Sequence, residues 1–361
     1  MVERPAPLVA VINTGSTSTK VALFRGHDIV SDETVRHSVD ELNAFRRLID
    51  QVPMRESAVL DVLERCDVAL TDLDAVSCRG GLLAPLPSGT YRVDDAMLDD
   101  LRSGRYGLHA SNLSAVIGAR IAEQAEVPAF IVDPVVVDEL CPEARYSGIP
   151  EIERRSIWHA LNQKAVARRI ARKLGKRYEE ADLIVAHLGG GTSIAAHRRG
   201  KVIDVNNALD GDGPFAVERS GGLPAADLVR LAREMPPDEL LARITGRGGV
   251  VAYLGTNDLL DVENRAAAGD ETAKDILAAM AYQVACEIGA RAAALAGRVD
   301  AIALTGSVAR CKPVVRGIKR RVQFIAPVHT IPGAIEMVAL AEGALRVLAG
   351  EARAKRYRSP G

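Results

Sequence analysis

VINTGSTSTKVALFRG (11–26) sets a run of hydroxyl side chains, with one glycine and one lysine, between two apolar segments. Residues 9–12 and 21–24 read as strands, and Gly15 with its hydroxyl neighbours reads as the tight turn that joins them. A hairpin turn needs only one or two residues able to take unusual φ. Ser16, Thr17, Ser18, Thr19 and Lys20 therefore have no common structural reason to stand together. Hydroxyls, turn N–H groups and an ammonium suit phosphate oxygens. A purely structural Ser/Thr-rich hairpin gives the same pattern, so the segment alone leaves both readings open.

A repeat bears on that choice. Placed without gaps over LIVAHLGGGTSIAAHRRGKVI (183–203), VAVINTGSTSTKVALFRGHDI (9–29) sets Gly15 on Gly189, Ser18 on Thr192, Thr19 on Ser193 and Gly26 on Gly200. Each half of the chain then begins with one strand, polar turn and strand. Two such hairpins could grip a polyphosphate from both sides, with the N–H groups of Gly189, Gly190, Gly191 and Thr192 as donors. The alternative is a chance likeness of two glycine turns.

The 361 residues allow two domains with cores of their own. A net charge of −1 argues against a dedicated nucleic-acid binder. The basic run RRIARKLGKR (168–177) reads as the wet face of a helix. No apolar stretch approaches the ~20 residues needed to cross a bilayer, and no secretory leader is visible, so a cytoplasmic protein with no membrane partner is expected. Cys66, Cys78, Cys141, Cys286 and Cys311 are scattered without a CxxC pair and are expected as buried thiols. There is no P-loop, and no G-x-G-x-x-G follows a strand.

Strand-like AFIVDPVVV (129–137), LIVAHL (183–188) and AIALTG (301–306) alternate with helical stretches, which indicates an α/β protein. Ile276, Leu277, Met280, Val284, Ile288 and Leu295 keep a helical period over 271–295. Ser156 is a candidate cap for a helix carrying Trp158, Leu161, Ala165, Val166 and Ile170, and a further helix is expected from 334 to about 348. The final EARAKRYRSPG reads as a tail.

NTGSTSTK, CRGGLLAPLPSGTYRV (78–93), IVDPVVVDEL (131–140), RRSIWHALNQKAVARR (154–169), AHLGGGTSIAAH (186–197), DVNNALDGDGPF (204–215), ERSGGLP (218–224), VAYLGTND (251–258) and EMVALAEGALRVL (336–348) occur in this order. In them the chain resembles, nearly end to end, the acetate and propionate kinase family, in its butyrate kinase branch. The wider group contains acetate kinases, sugar kinases, Hsp70 and actin. The resemblance implies two ribonuclease-H-like α/β domains of the actin-like ATPase type, with a nucleotide cleft between them. The first is expected over 1–150, with the C-terminal helix 336–361 returning to it, and the second over 151–335.

It also implies phosphorylation of a short-chain carboxylate, butyrate or a branched C4 to C5 acid, by ATP with Mg²⁺, giving ADP and an acyl phosphate. A homodimer or larger homo-oligomer is expected. A carboxylic acid with a pKa of about 4 to 5 is already ionised at neutral pH, so no general base is required. What the chemistry needs is neutralised charge, in-line placement and support for the transferred phosphoryl.

By similarity, Arg79 and Arg219 clasp the carboxylate and phosphoryl oxygens. Asp133 is a magnesium-shell or nucleophile-positioning acid. His159 steadies the phosphoryl group, and His187 belongs to the second phosphate loop with Gly189, Gly190, Gly191 and Thr192. Asn13, Ser16, Ser18 and Lys20 form the first phosphate loop, with Asn13 near the metal. Gly306 lies in the adenine-side loop, and Glu336 is the metal-linked glutamate. Without the resemblance, the arginines read equally as ion pairs, Asp133 as a turn cap and the histidines as structural.

Three departures stand out. The family's acidic pair before the C-terminal glutamate is replaced by Gly333, Ala334 and Ile335, and Ser307 replaces a glycine after Thr305 and Gly306. Trp158 replaces a phenylalanine beside the expected acyl pocket, where lost volume would shift chain-length preference. Alternative readings are an acetate or propionate kinase, or a non-metabolic actin- or Hsp70-like ATPase.

Overall fold

The computed structural model describes residues 5–359. It divides into two compact units: one runs to Val137 and resumes at Ile335, and the other is Asp138–Ala334. The change of unit falls earlier than the expected position at 150.

In unit 1, β1 (Leu8–Thr14) is buried along its whole length. It pairs antiparallel with β2 (Ser18–Arg25), which pairs antiparallel with β3 (Asp28–Arg36). On its other side β1 pairs parallel with β4 (Ala75–Arg79), and β4 pairs parallel with β6 (Ala129–Val132). β5 (Thr90–Arg92) and β12 (Lys355–Arg356) extend the edge to give the order β12-β5-β6-β4-β1-β2-β3. The helices Asn112–Gln124 and Glu336–Leu348 pack on β1, β4 and β6.

Unit 2 repeats the scheme. β7 (Asp182–Leu188), β8 (Thr192–Arg198), β9 (Lys201–Val205), β10 (Ala301–Gly306) and β11 (Val328–Pro332) are ordered β11-β10-β7-β8-β9. That order and its strand directions match β6-β4-β1-β2-β3. Ile184, Ala186, Leu188, Ile194 and Ala196 form one core with Leu277, Met280, Val284 and Ile288 of the helix Glu271–Ala294. The helix Ala160–Lys173 packs on β7 and β10 and leaves Arg169, Arg172 and Lys173 in solvent.

The ungapped repeat is right up to the turn and wrong beyond it. Asn13 pairs with Lys20, whereas His187, its counterpart, pairs with Ser193. The second turn is one residue shorter, so Ser193 corresponds to Lys20 and Thr192 to Thr19. A slip of one residue turns a side chain to the other face, which decides that Ser193 points where Lys20 does.

Other expectations change as well. The strand expected over 129–137 stops at Val132, because Asp133 adopts φ +39°. The helix expected behind Ser156 starts only at Ala160, and the one expected from 334 starts at Glu336. The returning helix expected over 336–361 ends at Leu348, and residues 360–361 lie outside the described residues. Of the five cysteines only Cys78 and Cys311 are buried, and Cys286 is exposed.

Nor are residues 351–359 a loose tail. Lys355 and Arg356 pair with Tyr91 and Arg92. The Tyr357 hydroxyl donates to Asp100 Oδ2 (2.8 Å) and accepts from the Ala84 N–H (3.1 Å). Tyr357→Phe removes the hydrogen-bond partner of Asp100 Oδ2 and of the buried Ala84 amide, so it is expected to lower stability by about 1–3 kcal/mol. Urea unfolding measures this, and an unchanged midpoint would mean that the segment is not docked.

Candidate active site

In unit 2 the turn between β7 and β8 is Gly189, Gly190 and Gly191. Gly189 N–H donates to Gly191 O (3.1 Å). The carbonyls of Gly189 and Gly190 accept from Val217 N (3.4 Å) and Glu218 N (3.1 Å), which lays the segment carrying Arg219 along the turn. A Cβ at position 191 would sit 1.7 Å from Arg219 Nη1, so only glycine lets the guanidinium approach. Arg219 Nη1 donates to Ala208 O (2.5 Å), while Nε is buried with no hydrogen-bond partner. Burial pulls the pKa of this guanidinium down, and Glu218 and Asp210 oppose the shift. A desolvated cation with an unmatched donor is a place for an anion.

Gly306, at φ +90°, closes the neighbouring strand end. A Cβ there would lie 2.1 Å from Leu188 O, and Gly306 exchanges two 2.9 Å backbone bonds with Gly333. Beside these turns lies a cavity of about 450 Å³ lined by Gly190, Glu218, Asn257, Ser307 and Arg310 among others.

His159 and His187 stack, with ring centroids 3.8 Å apart and planes within 8°. His159 Nδ1 lies 2.8 Å from Ser193 Oγ, and His187 Nδ1 lies 2.8 Å from Asn162 Nδ2. Thr192, expected in the phosphate loop, is buried as the first residue of β8. Trp158 is 2% exposed and stands edge-on to His197 at 6.1 Å. Its size bears on the packing of that ring.

In unit 1, Asn13, Arg79 and Asp133 lie at the carboxyl ends of β1, β4 and β6, which are adjacent in the sheet. Such ends are where open α/β sheets place ligands. Glu336 joins them from the first turn of its helix. Asn13 Nδ2 donates to Glu336 Oε2 (3.0 Å), and Arg79 Nη1 reaches the same oxygen at 3.3 Å and Asn13 Oδ1 at 3.5 Å. Asp133 is turned elsewhere: its Oδ1 accepts from Ser88 Oγ (2.6 Å) and Gly89 N (2.8 Å). Among the described residues no group of three or more His, Cys, Asp or Glu could hold a metal.

Ser16 and Lys20 are exposed at the tip of the first hairpin and Ser18 is half-buried. Beneath them lies Arg55, 0% exposed. Its Nη2 donates to Ser16 O (3.0 Å), and its Nη1 to Ser18 O (2.9 Å) and Thr19 Oγ1 (3.2 Å). Sequence reasoning missed this residue. The signal was its place with Val52, Val59 and Val62 on the buried stripe of the helix Val52–Arg65, where a charge needs a partner. Gln163, Ser193 and Asn162 were likewise not singled out.

Butyrate kinase 2 of Clostridium acetobutylicum is 53% identical over 349 residues, which are 96% of this chain and 98% of that protein. The chain belongs to the acetokinase family. Residues 148–325 match the model of that family, and butyrate kinase 1 of the same organism is 50% identical over 350 residues, 96% of this chain and 99% of that protein. The crystal structure of Porphyromonas gingivalis acetate kinase shares the fold at a TM-score of 0.78 and 20% identity, covering 95% of this chain and 100% of that one. The chain therefore shares the α/β fold of that acetate kinase.

The closeness of Arg219 to the turn makes the glycine at 191 testable. Gly191→Ala is expected to keep the fold, shown by an unchanged circular dichroism spectrum, and to lower kcat/KM by about 10²-fold or more by displacing the guanidinium. Activity within a factor of two of the parent would show that Arg219 can leave the turn without consequence.

Proposed function

We propose that the chain transfers the γ-phosphoryl group of ATP reversibly to a short-chain carboxylate, butyrate or a branched C4 to C5 acid, giving ADP and an acyl phosphate. The relatives named butyrate kinase, alike over nearly the whole chain, support the acceptor. The observation in the site that carries the reading is Arg219, laid on a glycine turn with a buried donor unmatched.

The acid arrives ionised, so no side chain has to remove a proton. Arg219 supplies positive charge where the transferred phosphoryl gathers negative charge, and it is already desolvated, so little reorganisation accompanies the reaction. Arg79 lies half-exposed beside Glu336 and can turn to a carboxylate in bidentate fashion. His187 Nε2 stands beside the phosphate turn, and His159 stacks on that ring. Lys20 and the hydroxyls of Ser16 and Ser18 take phosphate oxygens on the turn that Arg55 holds. Asp133, at the end of β6 beside the strand that carries Arg79, fixes the turn at Ser88 and Gly89 and so positions the acceptor. The cavity lined by Asn257, Ser307 and Arg310 next to Gly190 suits the nucleoside.

Mg²⁺ belongs to this reading. The Glu336 carboxylate and the Asn13 amide oxygen are hard oxygen donors of the kind Mg²⁺ takes when phosphates and water supply the remainder. Bound there, the metal would neutralise phosphate charge. We place the protein in the cytoplasm, where ATP and ADP are; no helix among the described residues is long and apolar enough to cross a membrane. We infer a homodimer or larger homo-oligomer, supported by exposed Tyr146, Ile149 and Ile152 in one surface segment.

Trapping of acyl phosphate as hydroxamate, with ATP, Mg²⁺ and a panel of C2 to C6 acids, tests the function. The expected result is a higher kcat/KM for a C4 or branched C4 to C5 acid than for acetate. Preference for acetate or propionate would move the reading to those kinases, and ATP hydrolysis with no hydroxamate would move it to an ATPase. In the same assay Arg219→Ala should cost at least ~3 kcal/mol in kcat/KM and leave ATP affinity within a few-fold. Near-normal turnover would remove Arg219 from the catalytic residues.

A further inference from the structure

Two short chains of hydrogen bonds inside unit 2 end on the stacked histidines, and each is anchored at a backbone carbonyl. A carbonyl oxygen can only accept, so it sets the direction of every bond linked to it.

The first chain is anchored at Ser193 O, 3.0 Å from Gln163 Nε2. The carboxamide nitrogen must face that carbonyl, so Oε1 faces His197 Nε2 at 3.2 Å, and His197 donates. His197 is fully buried, and desolvation, helped by Lys164 and Arg168, holds its pKa well below the ordinary value. The ring is neutral, and its Nδ1 accepts from the Tyr178 hydroxyl at 2.8 Å. Gln163 Nε2 also donates to Ser193 Oγ (2.7 Å), and the His159 backbone N–H reaches that oxygen at 3.4 Å. Both lone pairs of the hydroxyl are occupied. Its proton therefore goes to His159 Nδ1, 2.8 Å away, and that nitrogen accepts.

The second chain is anchored at Gly333 O, which accepts from Thr305 Oγ1 (2.9 Å). Thr305 Oγ1 is thereby an acceptor for Asn162 Nδ2 (3.3 Å), which fixes the Asn162 amide with its nitrogen towards His187 Nδ1 (2.8 Å). This nitrogen also accepts.

We propose that Gln163 and Ser193, and separately Asn162 and Thr305, are positioning residues that fix His159 and His187 as neutral rings with the hydrogen on Nε2, a pair of N–H donors from adjacent planes. Face-to-face stacking at 3.8 Å suits two neutral rings and opposes two imidazolium charges. The His187 donor sits at the phosphate turn, with Nε2 3.5 Å from where a Cβ on Gly189 would be. The inference rests on the kinase reading in one respect: the two donors serve phosphoryl oxygens, whose developing charge they meet without a proton having to be lost first. The anchoring partners act as those of a metal-bound histidine do, by choosing the tautomer.

The ¹⁵N chemical shifts of the ring nitrogens test this directly. The seven histidines of the full-length protein are labelled, and His159→Asn and His187→Asn assign the two signals. Both residues are expected to show a protonated Nε2 and a bare Nδ1. Ser193→Ala and Gln163→Leu should give His159 a mixture of tautomers and reduce kcat about 10-fold or more, with little change in KM for ATP and no change at His187. Thr305→Val should disturb His187 and leave His159 as it was. A hydrogen on Nδ1 of either ring in the parent protein overturns the proposal, as does Ser193→Ala with a single Nε2–H form and full kcat. Failure of the kinase reading shows instead as no hydroxamate from any acid and leaves the ring shifts standing, so the two fail separately.

Discussion

The placement of the Arg219 guanidinium on a turn without side chains is the contact from which the rest of unit 2 follows. The space it fills is the space a Cβ on Gly191 would need. The approach is possible because the carbonyls of Gly189 and Gly190 bind the backbone just before Arg219, so turn and arginine are held by the same short segment. Had the turn been as long as the one in unit 1, Ser193 would have moved by one place along β8, and with it the partner of His159. One residue of turn length thus sets both the arginine and the histidine.

Unit 1 meets the same need by another route. Its hairpin carries side chains at the tip, and the buried Arg55 lies under it and binds the carbonyls of Ser16 and Ser18. A carbonyl that points inward to a cation leaves the turn's outer face to hydroxyls and N–H groups. Burial weakens the hold of Arg55 on its proton, so its four oxygen partners, Gln51 Oε1 among them at 3.1 Å, are what make the charge tolerable there. Arg79 differs from both: it shares Glu336 and Asn13 and stays partly in solvent. A half-exposed pair of this kind contributes about 0–1 kcal/mol, which lets the arginine exchange one carboxylate for another at low cost.

The alternation of strand, turn and helix was legible because β1 and β10 are buried throughout and β7 from Leu183 onward, so each carries an apolar run of four or five residues. The duplication was legible up to the turn, where both copies place a glycine. Past it the eye follows residue types, while the structure follows pairing, and the loss of one residue from the second turn leaves no mark in composition. Asp133 was legible as a polar residue at a strand end. Its bonds to Ser88 and Gly89 depend on a turn 45 and 44 residues earlier in the chain, which no local pattern contains. Tyr357 was hidden for the same reason, since its partners Asp100 and Ala84 are distant in sequence.

Buried polar groups are costly unless every donor and acceptor is matched, and the region behind β8 shows what the matching achieves. Lys164, with no exposure, is held by Glu139 at 2.7 Å and Gly200 O at 3.1 Å, with its ammonium 5.7 Å from the centre of the Tyr178 ring. Its charge adds to burial in keeping His197 unprotonated. A neutral His197 accepts from the Tyr178 hydroxyl at one nitrogen and donates from the other, whereas a protonated one would donate at both and oblige Tyr178 to accept. The ion pair thus acts on a ring it does not touch, by fixing its protonation. The direction of the bonds is set at Ser193 O, from which Gln163 orients both His197 and the Ser193 hydroxyl beside His159. A hydrophobic replacement of the same volume would match or exceed the stability of this cluster, but it would leave His159 without a defined tautomer. The polar cluster is better understood as setting a direction than as holding the unit together.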